Sequence, residues 1–96
     1  MEQTASETRS KRAIALRLLQ TRTVLSVGQT EFATKAGLAQ NTYNQFERGK
    51  RRLSLEAAHA LCDEYRLTLD WLFRGDLNGI PHALAKALRR IQEAVH

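Results

Sequence analysis

Residues 29–48, QTEFATKAGLAQNTYNQFER, run directly into GKRR, and the spacing inside this stretch constrains the fold more than any other part of the chain. Phe32, Ala33 and Ala36 share one helical face. Gly37 follows them at once and suits the left-handed backbone that ends a helix. Leu38 then plugs the angle, and a second short helix over about 40–48 turns Tyr43 and Phe46 inward. Positions 40, 41, 44 and 45 are left pointing away from the core.

Those four outward positions are Gln40, Asn41, Asn44 and Gln45. A primary amide donates and accepts at once, which matches the N7 and N6 edge of adenine. Arg48, Lys50, Arg51 and Arg52 come next, a basic loop of the kind that holds phosphates. An ordinary solvated face could have the same amides. The lack of any charge over 39–46, beside so dense a run of cations, favours base reading by Gln40, Asn41, Asn44 and Gln45. Thr42, Arg48, Lys50, Arg51 and Arg52 are then the expected contacts to a DNA backbone.

The rest of the chain reads as helix. A first helix over about 9–25 aligns Ile14, Leu18 and Leu25, joined by Ala15 and Leu19, with Arg9, Lys11, Arg12 and Arg17 mainly elsewhere. Ser54 is a good N-cap for a helix over 55–65, whose stripe is Leu55, Ala58, Leu61, Cys62 and Tyr65. Thr68 caps a short helix over 69–74, and Gly75 stops it. Pro81 suits the first turn of a last helix reaching about Val95. Residues 1–8 carry no periodic apolar signal and read as a disordered tail.

Composition narrows the function classes. Apolar residues make up 43% of 96, enough for one modest core, and the net charge of +5 suits a polyanionic partner. The single Cys62 excludes an intramolecular disulfide and a cysteine-based zinc site, and it reads as a small buried hydrophobe. No apolar run approaches the ~20 residues of a membrane span, and the N-terminus lacks the layout of a signal peptide. The expectation is a cytoplasmic protein with no membrane contact. His59, His82 and His96 are scattered, no phosphate-cradling glycine loop is present, and no serine sits in an elbow. Enzyme activity, a metal site and a cofactor are therefore not expected.

With these residues in place, the chain resembles the Cro/repressor-like (Xre-type) helix-turn-helix family over about 17–74. The resemblance rests on Gln29, Ala33, Gly37, Leu38 and Phe46, on Glu47-Arg48-Gly49-Lys50, on Ser54-Leu55-Glu56, and on Leu69-Asp70-Trp71-Leu72. It implies an all-α fold: a five-helix repressor-like DNA-binding domain over 9–75, with an additional C-terminal helix in the extension 76–96. It also implies that Gln29 meets a phosphate or braces Gln40, and that Arg22 and Glu47 form a structural ion pair. Four departures stand out. Ala39 replaces the usual Ser or Thr cap, and Tyr43 replaces an aliphatic residue, so its phenol needs a polar partner or a route outward. Ser26 and Gly28 stand where Gly and Ser or Thr are more usual, and Arg66 replaces a common Gly.

In the last helix Ile80, Leu84, Leu88, Ile91 and Val95 recur at spacings of three or four. This stripe either packs on the first helix or pairs with a second copy. Trp71, Leu84, Leu88, Ile91 and Val95 are the candidate dimer contacts. A dimer of this fold would read two half-sites about 34 Å apart on double-stranded DNA. The leading reading is a small transcriptional regulator, a repressor, with the third helix in the major groove. An antitoxin autoregulator and a protein-interaction module without a DNA role are the alternatives, with a toxin or polymerase as the candidate protein partner.

Overall fold

The computed structural model describes residues 10–94. The expected tail at 1–8, the start of the first helix at Arg9, and Val95 and His96 lie outside the described residues. Among the described residues six helices occur in this order: α1 Lys11–Leu25, α2 Gln29–Lys35, α3 Gln40–Glu47, α4 Leu55–Tyr65, α5 Leu69–Arg74 and α6 His82–Ala94. The described residues are 71% helical, with no strand among them.

Local chemistry sets most of the boundaries. The hydroxyls of Ser10, Ser54 and Thr68 accept from the backbone N–H three residues on, at 3.1, 3.1 and 3.0 Å, and so start α1, α4 and α5. Gly37 has φ +77°, and the N–H of Leu38 returns to the carbonyl of Ala33 at 2.9 Å. That turn aims α3 away from α2. Ala33 is fully buried between them. Two ends lack glycine: Ser26 and Arg66 take left-handed φ values of 58° and 56°. These are the positions where the sequence departs from glycine, and the backbone keeps the glycine-like conformation regardless.

α1 is the central element, packed against α3, α5 and α6, while α2 packs on α3 and α4 on α5. Ile14, Leu18, Phe32, Phe46, Leu61, Leu72 and Leu88 fill the shared core. Phe32 stacks on Tyr65, centroids 4.3 Å apart, and the Tyr65 hydroxyl donates to the Phe32 carbonyl at 2.8 Å. Trp71 is fully buried, with its Nε1–H donating to Thr21 Oγ1 at 2.9 Å. Thr21 in turn donates to the Arg17 carbonyl at 2.7 Å.

Several expectations about faces change. Arg17 is buried instead of lying on an outer face; its Nε donates to the Leu72 carbonyl at 3.0 Å. Burial holds its pKa below the ordinary value. Leu19 and Leu55 are 40% and 59% exposed, so neither belongs to the buried stripes. Trp71 and Leu88, candidate dimer contacts, are both covered by the chain's own helices. The physical reason is that α6 packs on α1, bringing Ile80, Ala85 and Leu88 into the same core. Leu84 and Ile91 are half-buried beside them.

Candidate nucleic-acid interface

The outward face of α3 is built by burying its opposite side. Tyr43 and Phe46 are held in the core, Tyr43 at 0% exposure with its ring 5.4 Å from that of Phe32. With 43 and 46 fixed inward, helical geometry turns 40, 41, 44 and 45 to the other side. Gln40, Asn41, Asn44, Gln45, Arg48 and Lys50 line one open concavity. All are exposed except Asn44, which is half-buried. Thr42 is half-buried and is not part of that lining.

The basic loop is tied to the end of α3. Gly49 adopts φ +71°, and the N–H groups of both Lys50 and Arg51 donate to the Gln45 carbonyl, at 3.0 and 3.2 Å. Gly49 also lies against α1, where a Cβ would stand 3.6 Å from the Arg12 Cα. Lys11 and Arg12, both exposed, therefore border the same loop. Their charge is visible in the sequence, but only the packing of α1 on this loop places it there. Arg51 and Arg52 are exposed further along.

Beneath this surface lies a polar cluster centred on Glu47. Its carboxylate accepts from Arg22 Nη2 at 2.7 Å and Arg22 Nε at 3.0 Å, a two-pronged pair. It also accepts from the Tyr43 hydroxyl at 2.7 Å and from Gln29 Nε2 at 3.3 Å. The Glu47 side chain is only 7% exposed. Burial pushes its pKa up, but the hydrogen bonds from Arg22, Tyr43 and Gln29 and the charge of Arg22 outweigh that, and the net shift is downward. Tyr43 finds here the polar partner its phenol requires, and burial with the Glu47 contact raises its pKa. The hydrogen bond to Glu47 likewise raises Arg22, against a smaller opposing effect of burial. The Tyr43–Glu47 contact joins residues four apart on one helix, a spacing legible in the sequence.

Gln29 does not brace Gln40. Its Oε1 accepts from Asn44 Nδ2 at 3.0 Å, one helical turn further along α3, because its Nε2 is drawn to Glu47. Ala39 is the N-cap of α3 and supplies no side-chain hydrogen bond. Among the described residues, no group of three or more His, Cys, Asp and Glu side chains could hold a metal ion. No helix of the described residues is long and apolar enough to cross a membrane. Burial pushes the Cys62 thiol up to about 11, aided by Asp63, so it stays protonated at neutral pH.

Two adjoining helices at a glycine turn, the second presenting polar side chains beside a basic loop, define the helix-turn-helix class of DNA-binding proteins. Residues 29–72 match the family model described as helix-turn-helix. That segment is a Cro/C1-type, Xre-like helix-turn-helix, which supports a DNA-binding regulator. No curated protein and no solved structure gives a significant match.

Proposed function

We propose that this protein is a cytoplasmic, sequence-specific transcriptional repressor that inserts α3 into the major groove. The observation that carries the reading is the amide face of α3, with Gln40, Asn41, Asn44, Gln45, Arg48 and Lys50 around one open concavity. A helix about 10–12 Å across with its side chains suits a major groove about 12 Å wide. Gln40, Asn41, Asn44 and Gln45 read base edges. Thr42, Arg48, Lys50, Arg51 and Arg52 hold the backbone, and Lys11 and Arg12 extend the basic rim. Gln29 acts from behind as a brace. Residues 9–75 carry the DNA contacts, and α6 in the extension that follows buttresses α1. Occupying a promoter is sufficient for repression, so neither a catalytic group nor a cofactor is required.

The protein works as a homodimer on a near-palindromic site. Leu16 and Leu19, 51% and 40% exposed on α1, are adjacent apolar side chains available to a second copy; Leu55, 59% exposed on α4, and half-buried Leu84 and Ile91 are further candidates. The same exposed leucines support a second reading, contact with a protein partner such as a toxin or polymerase.

Selection of bound duplexes from a random pool near physiological salt tests the proposal, followed by affinity measured against salt. A half-site or palindromic motif is expected, with log K falling steeply against log salt. Enrichment of no motif would leave only a generic charge effect and would turn attention to protein partners of Leu16 and Leu19.

A further inference from the structure

Glu47 lies outside the concavity, yet it is linked to it through two amides. Its ionised carboxylate can only accept hydrogen bonds. The amide group of Gln29 that faces it must therefore be the NH2, and Gln29 Nε2 stands 3.3 Å from Glu47 Oε1. This leaves Gln29 Oε1 facing α3, where it can only accept. Asn44 must then offer it an N–H, and Asn44 Nδ2 stands 3.0 Å away. The orientation of both amides follows from one buried charge, itself held by Arg22 and Tyr43.

We infer that this Glu47–Gln29–Asn44 relay fixes which hydrogen-bonding groups Asn44 presents to DNA, and so makes Asn44 select adenine and reject guanine. The inference rests on the proposed insertion of α3 in the major groove. An asparagine amide has two N–H donors and one acceptor oxygen. Gln29 occupies one donor, leaving one N–H and Oδ1 for the base. That pair fits the N7 acceptor and N6 donor of adenine. Guanine offers two acceptors, N7 and O6, which need both N–H groups at once. With one donor committed to Gln29, Asn44 would set its oxygen against O6. Gln29 is thus a positioning residue for specificity, and Glu47 sets its polarity.

The test is duplex selection from a random pool by the full chain, its Asn44→Ala variant and its Gln29→Leu variant, with thermal unfolding of each as a check on folding. Gln29→Ala removes the same amide and replaces Gln29→Leu if the latter does not fold. Affinities are then measured on the best wild-type duplex and on its adenine-to-guanine replacement at the Asn44-dependent position. The wild type should require adenine where Asn44→Ala loses preference. Gln29→Leu, with both Asn44 donors freed, should admit guanine there. The adenine-to-guanine ratio should fall on the order of tenfold, the size of one bidentate base contact, while other positions keep their preferences. A Gln29 variant that weakens both duplexes equally overturns the relay, because a purely structural or phosphate-binding role moves affinity and not the ratio. A wild-type preference for guanine at that position overturns it as well. A wild type that enriches no motif overturns the DNA-reading proposal itself, and the relay with it.

Discussion

Glu47 carries two oxygens and receives four hydrogen bonds, which offset the cost of holding a charge at 7% exposure. Because its folded-state pKa lies below its ordinary value, the unfolded chain binds a proton more readily. The stability contributed by the cluster is therefore fully present above the ordinary carboxylate range and is lost as pH falls through the folded-state value. Urea unfolding from pH 7 down to pH ~3 should show this loss begin below about 4.5, the reference value for a free carboxylate. Glu47→Gln should be less stable at pH 7 by about 2–3 kcal/mol, since it leaves a partly buried Arg22 without its charge partner. The variant should lose that part of the acid sensitivity. Gln20 makes the opposite case at the same scale. It is 7% exposed, and its Oε1 has no partner among the described residues. Gln20→Met should raise stability by ~1 kcal/mol in the same assay, by removing a buried acceptor that gains nothing.

The helix ends show what is written in single residues. Ser54, Thr68, Gly37, Gly49 and Gly75 act where the sequence places them, because a cap or a left-handed turn is decided by one side chain and its neighbours. Which faces are covered is decided by partners, and α1 illustrates the limit. With α3, α5 and α6 around it, Arg17 is enclosed and Leu19 is left in solvent, an outcome no periodicity encodes. The candidate interface divides in the same way. The four amides are legible because Tyr43 and Phe46 fix the opposite face. The partner of Gln29 is not, because it depends on where the buried Glu47 carboxylate sits. Two element-scale changes should stabilise the protein. Ala39→Ser supplies the missing cap of α3 and should add roughly 1 kcal/mol. Arg66→Gly relieves a left-handed residue at φ 56° and should add about 0.5–1 kcal/mol after the entropy of glycine is counted. Thermal melts read both.

For the whole molecule, the decisive contact is that of α6 with α1. Leu88 is fully buried there, so Leu88→Ala should cost about 2–4 kcal/mol through the cavity it leaves. The loss should be the same at every protein concentration, as measured by denaturant unfolding over a hundredfold dilution series. A contact between copies would make it fall away on dilution. The packing of α6 on α1 also bears on synthesis. Of these six helices, α1 leaves the ribosome first and α6 last. Until α6 emerges, the nascent chain holds an uncovered apolar strip along α1. Translation arrested after α5 yields a product with its DNA-facing residues already made but its centre open. The reading head therefore completes its packing only when α6 is available to cover α1.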